Sequence, residues 1–84
     1  MGALKVTVAY FGTAREFAGI AKEELELTQP TSLQQLLSRV VTIHPRLAEI
    51  MKILLPLVND KWLPEETELK GGDQIALLPP VEGG

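Results

Sequence analysis

The sequence contains no cysteine. That excludes disulfide staples, thiolate nucleophiles and zinc–thiolate centres. If the chain handles sulfur, it cannot do so as a cysteine persulfide, and its terminal carboxylate is the obvious remaining place. There is one histidine, His44, so no two-histidine metal site exists within a single chain and no metal ligand set is expected. Ser, His and Asp occur, but no spacing arranges them as a catalytic triad. No apolar run approaches the roughly 20 residues needed to cross a bilayer. Basic residues are in the minority, eight against eleven acidic ones, for a net charge of −3. That balance disfavours nucleic acid, which wants a basic face, and is compatible with a basic partner surface.

What is present is enough for one folded domain. The chain has 84 residues, and 45% of them are hydrophobic, which argues for a globule with its own core and against a disordered tail. Lys5 already sits inside a strand-like run, so no signal peptide is expected ahead of the fold and the cytoplasm is the default location.

Residues 4–11 alternate, with Leu4, Val6, Val8 and Tyr10 on one side, which predicts a strand. Gly12 breaks it, and residues 13–21 read as a connector. Residues 23–28 alternate again, with Leu25 and Leu27 opposite Glu24 and Glu26, giving an antiparallel hairpin with the first strand. Pro30 ends that segment. Thr31 and Ser32, followed by Gln34 and Gln35, form a capping-box signature. Leu33, Leu36, Leu37, Val40 and Val41 then make one apolar helical stripe. His44-Pro45 stops the helix, because proline disfavours helical geometry in the residue before it. A short helical turn over 46–53, a strand over 55–58, an Asn59-Asp60 turn and a short return strand over 61–63 follow. Gly71-Gly72-Asp73 turns the chain into a last strand, 74–78. The order predicts an α+β fold, a mixed sheet of about five strands with one main helix on one face. With the last strand parallel to the first at the sheet centre, this is a β-grasp arrangement over residues 1–80.

Beyond the last strand stands Pro79-Pro80-Val81-Glu82-Gly83-Gly84. The proline pair is stiff and cannot extend a ladder, so it ends the sheet and projects a flexible tail, residues 81–84. A terminal diglycine is a carboxylate on a slim stalk that enters channels closed to larger residues. Such a carboxylate can be adenylated with ATP by a partner enzyme, attacked by sulfur and converted to a thiocarboxylate. Gly84 is then the reacting group, and Gly83 gives access. Alternation puts Phe11 and Leu78 on the sheet face away from the helix, near the tail exit. With Trp62 they form a candidate partner-binding patch. Arg15 is a further contact candidate. Arg15 and Glu16 otherwise read as a solvated or structural pair, His44 as a helix-end residue bonding a carbonyl, and Glu23, Glu24 and Glu26 as a solvated strand edge.

Lys5-Val6-Thr7-Val8, the run Phe11-Gly12-Thr13-Ala14-Arg15-Glu16, Val58-Asn59, residues 69–73 and the closing stretch from Ala76 to Gly84 resemble the molybdopterin synthase small subunit family. The similarity spans essentially the whole chain, and the final PPVEGG is its most specific part. It implies a ubiquitin-like β-grasp and a non-autonomous subunit that binds no cofactor itself. It implies that Gly84 is adenylated by a ubiquitin-activating-like adenylyltransferase using ATP, then charged with sulfur. It further implies docking to a large subunit in a heterotetramer, through positions matching Phe11, Trp62 and Leu78 and the tail residues Pro79, Pro80, Val81 and Glu82. There two successive sulfur deliveries convert cyclic pyranopterin monophosphate to molybdopterin, the catalytic site lying on the large subunit. The same tail and fold also fit a ubiquitin-like protein modifier, or a sulfur carrier for another pathway such as thiamine.

Overall fold

The computed structural model describes residues 2–80. Four strands form one sheet: β1 (Ala3–Tyr10), β2 (Lys22–Thr28), β3 (Leu55–Val58) and β4 (Gln74–Leu78), in the order β2-β1-β4-β3. β1 pairs antiparallel with β2 and parallel with β4, and β3 returns antiparallel to β4. The parallel pair therefore occupies the centre.

The helix α2 (Leu33–Ile43) covers one face. Its start is fixed reciprocally: the Gln35 N–H donates to Ser32 Oγ at 3.1 Å, and the Ser32 N–H donates to Gln35 Oε1 at 2.9 Å. Its end falls at His44, before Pro45, as the X-Pro restriction requires. The apolar stripe Leu33, Leu36 and Val40 is fully buried against Leu4, Val6, Val8 and Tyr10 of β1 and Ile75 and Leu77 of β4. Leu47, in the 3₁₀ turn Pro45–Glu49, closes one end of this core.

Two elements differ from the sequence reading. The segment read as a connector contains a short helix, α1 (Thr13–Ala18). It buries Ala14 and ends on Gly19, whose φ of 77° is left-handed and free of penalty only for glycine. Six residues hold too few apolar positions to reveal a period, so tertiary contact decides this helix. The expected return strand over 61–63 is reduced to one bridge, Val58 with Lys61. Asn59 and Asp60 both take positive φ in a tight turn, but Pro64 follows Leu63 at once and stops a ladder from growing. The sheet thus has four strands where about five were expected, and the β-grasp topology is unchanged.

Asn59 also fixes the entry into β4. Its N–H reaches Gln74 O at 2.7 Å, its Oδ1 accepts from the Gln74 N–H at 2.9 Å, and its Nδ2 donates to Asp73 Oδ1 at 2.9 Å. Asp73 Oδ2 in turn accepts from the Lys70 N–H at 2.7 Å. The strand that leads to the tail is therefore anchored at its far end.

Candidate functional site

The sheet face away from α2 is built by the strand residues out of phase with the core. Phe11 leaves β1 with its N–H donating to Leu77 O at 3.2 Å, which continues the parallel register and brings it beside Leu78. Leu78 pairs with Leu55 of β3, and Ala76 pairs with both Ala9 and Leu57. Phe11 is 46% exposed and Leu55 38%, so this apolar band is open to a partner. Leu55 and Leu57 were not picked from the sequence. The signal was there, since Val58 must face the core and period two then turns both leucines outward.

The structure brings Phe11 and Leu78 together but sets Trp62 apart. Trp62 is 65% exposed and lines a separate cleft with Leu54, Pro56, Leu63 and Leu77, at the helix-covered side of the β3 edge. Arg15 lies exposed on α1, its N–H directed to Phe11 O at 3.4 Å, one turn from the band. It makes no ion pair with Glu16 among the described residues.

At the end of β4, Pro79 lies half-buried against Gly12. Gly12 has φ 54°, and a Cβ there would stand 2.8 Å from Pro79 Cγ. The glycine thus lets the first tail proline lie close against the end of β1. Pro80 is exposed. Val81, Glu82, Gly83 and Gly84 lie outside the described residues.

Beneath this end of the sheet is a polar cluster that the sequence reading missed. Glu23 pairs with Val8 and so faces the helix, in phase with Leu25 and Leu27. Its Oε2 accepts from Tyr10 Oη at 2.5 Å and lies 2.6 Å from His44 Nε2. The Tyr10 and His44 rings meet edge to face with centroids 5.5 Å apart. Glu23 is therefore no solvated edge residue, and His44 holds a carboxylate where a carbonyl was expected. Tyr10 is 1% exposed, so its hydroxyl needs the acceptor. Glu23→Ala is expected to cost about 1–3 kcal/mol by leaving that hydroxyl unpaired. Tyr10→Phe in the same background should recover part of the loss, read as urea midpoints.

Burial first, then the hydrogen bond to Glu23 and its charge, push the Tyr10 phenol well above its ordinary range. The folded chain thus keeps a proton that the unfolded chain releases above about pH 10. The contribution is present below that pH and is lost as pH rises beyond it. Wild type should lose stability more steeply above pH 10 than Tyr10→Phe does.

Among the described residues no group of side chains could hold a metal ion, and no helix is long and apolar enough to cross a membrane. Catalytic machinery of the acid–base or nucleophilic kind is likewise not assembled around the apolar band. What the body offers is an apolar face beside a strand that ends in a proline pair.

A mixed sheet with a central parallel pair, one covering helix and a C-terminal strand leading out of the centre defines a ubiquitin-like β-grasp protein. The ThiS family model matches residues 8–84, and the chain belongs to this family. It is 34% identical to the molybdopterin synthase sulfur carrier subunit of Chlamydomonas reinhardtii, over 96% of this chain and 100% of that protein. The putative molybdopterin converting factor subunit 1 from Pyrococcus furiosus superposes with a TM-score of 0.86 at 29% identity, covering 93% of this chain and 99% of that one. A chain from the complex of subunits 1 and 2 of the Helicobacter pylori molybdopterin-converting factor superposes with a TM-score of 0.68 at 30% identity, covering 96% of this chain and all of that one.

Proposed function

We propose that this chain is the sulfur carrier of a molybdopterin synthase, bearing sulfur as a thiocarboxylate on Gly84. The observation that carries the reading is similarity along the whole length: a relative named for this role matches 96% of the chain, and the family match runs to Gly84 itself. The absence of cysteine agrees with a carboxylate as the sulfur-bearing group.

The chemistry follows from the carboxylate. Its oxygen attacks the α-phosphorus of ATP in an adenylyltransferase and expels pyrophosphate. The acyl adenylate then has a good leaving group. A sulfur nucleophile adds to the carbonyl carbon, AMP departs, and the terminal thiocarboxylate remains. Delivered to a large subunit, the thiocarboxylate sulfur displaces an oxygen on cyclic pyranopterin monophosphate to give an acyl thioester, water cleaves its acyl–sulfur bond and restores the Gly84 carboxylate, and two deliveries build a dithiolene. Support for the large-subunit partner comes from the related chain solved in complex with subunit 2. The band of Phe11, Leu78, Leu55 and Leu57 is the face suited to that contact, and β4 leads from it into Pro79-Pro80, which precede the diglycine in sequence. The carrier supplies a reactive end and a docking surface, while the large subunit supplies the catalytic pocket.

The test is intact-mass analysis after incubation with the cognate adenylyltransferase, ATP and a sulfur source. A gain equal to sulfur replacing one oxygen, localised to Gly84, is expected. An unchanged mass with a partner proven active on another carrier removes the proposal. Lysine adducts through Gly84 in cell extracts would favour the modifier reading instead.

A further inference from the structure

The open face of the sheet carries two alanines at its middle. Ala9 of β1 pairs directly with Ala76 of β4, in the two central strands. Both belong to the phase that turns away from α2. Phe11 and Leu78 follow them along the strands, and Thr7 and Gln74 precede them. Alanine is a poor strand residue, because a pleated surface is better filled by β-branched or aromatic side chains. The core and α2 lie on the opposite face, so among the described residues the packing of the domain makes no demand for a small side chain here. A local preference broken without a gain to the fold is a place to look for function.

The consequence is a hollow of about 220 Å³ in that face. Ala9 and Ala76 form its floor, Phe11 one wall, and Thr7 and Gln74 the other. It runs across the strands from Lys22 on β2 to Asn59 and Asp60 beyond β3. A cavity of about 150 Å³ accepts a benzene-sized group, so this one admits a single large side chain. The charges at its two ends offset one another. Lys22 is followed on the same face of β2 by Glu24, and Asp60 is followed in the chain by Lys61, so neither end selects a charged occupant.

We infer that the Ala9–Ala76 hollow is a socket for one neutral apolar side chain, of leucine or methionine size, carried by the large subunit. The inference rests on the docking reading given above and adds to it where the partner's anchor sits. Phe11 belongs both to the apolar band and to the wall of the hollow, so a partner that covers the band also closes the hollow. The core of an interface packs as tightly as a protein interior, and a void left beneath the partner forfeits its contacts on one side. Water is the poorer filler, because two methyl groups on the floor offer it no hydrogen bond. Anchors that enter such pockets carry most of the binding energy of an interface. Ala9 and Ala76 then determine specificity by their small size, since a larger residue at either position occupies the space the anchor needs.

The experiment uses the full chain and its cognate large subunit, with Kd from calorimetry and folding from thermal melts. Ala76→Leu fills the socket and is expected to raise Kd at least tenfold, with a melting temperature unchanged or higher. Ala9→Leu fills the same floor from β1 and serves if the first variant does not fold. Ala3→Leu adds the same side chain to the same face at the far end of β1 and should leave Kd within twofold. The sign of the effect decides. A featureless apolar contact gains area from an added leucine and binds as well or more tightly, and that result at Ala76 would overturn the inference. Equal weakening by Ala3→Leu would overturn it too, and if neither socket variant folds, the alanines serve the domain and the inference falls. Large-subunit suppressors selected against Ala76→Leu should shorten one apolar side chain; suppressors confined to charged positions would count against a socket. A wild-type chain that fails to bind the large subunit would remove the proposed function, and this inference with it, whereas wild-type binding matched by Ala76→Leu removes the inference alone.

Discussion

Removal of Gly84 is expected to abolish sulfur delivery while leaving the melting temperature unchanged. The shortened chain still ends in a glycine carboxylate, so the chemistry of the group is intact. Its reach is not, because one residue spans about 3.5 Å of extended chain. A misplacement of about 1 Å between reacting groups can cost about 100-fold in rate. A retraction three times larger should take the carbonyl out of line with both the ATP phosphate and the acceptor pterin. Single-turnover product formation with a saturating large subunit is the measurement, alongside thermal melts. Retention of even a tenth of the wild-type rate would mean that the terminal residue is not the reacting one.

Phe11→Asp has the second-largest expected effect, and it falls on binding. Phe11 lies at the β1 end of the exposed band, beside Leu78, which in turn pairs with Leu55, and aromatic anchors dominate interfaces of this kind. Placing a carboxylate there removes the anchor and buries a charge with no partner on this chain. Affinity for the large subunit should fall by about 2 kcal/mol or more, roughly 30-fold in Kd. Folding should change by no more than about 1 kcal/mol, because nearly half of the side chain is already in water. Calorimetry and thermal melts separate the two effects. A collapse of the fold would place Phe11 in the core, and unchanged affinity would move the interface elsewhere. Trp62→Ala is an informative companion. The structure puts Trp62 in its own cleft, so its loss should weaken binding less than loss of Phe11 does.

On the proposed function, an adenylyltransferase and a large subunit would need the same Gly84 in turn. A carrier working in that way must leave one partner for the next, which favours an open apolar band over a deep pocket.

Much of the fold was legible from periodicity. The alternation in β1, the Ser32 and Gln35 cap and the stripe of α2 each carry a local physical reason, and each stands where expected. The docking band was half legible. Phe11 and Leu78 followed from strand phase, whereas Leu55 and Leu57 became neighbours only once β3 was paired with β4. Glu23 was misread because a glutamate between the exposed Lys22 and Glu24 looks solvated, although its phase with Leu25 already turned it inward.

The amino-acid order by itself determined the chemistry available: no thiol, one imidazole, and a diglycine carboxylate behind two prolines. It also set the local elements, because strand and helix periods and caps are properties of neighbouring residues. Only the tertiary structure decided which distant residues meet. It gave the buried Tyr10 hydroxyl its acceptor in Glu23, separated Trp62 from Phe11, formed the helix α1, and left β2 as the open edge. The reason is that burial and ladder pairing depend on non-local contacts, whose energies are assigned only when the sheet closes around its core.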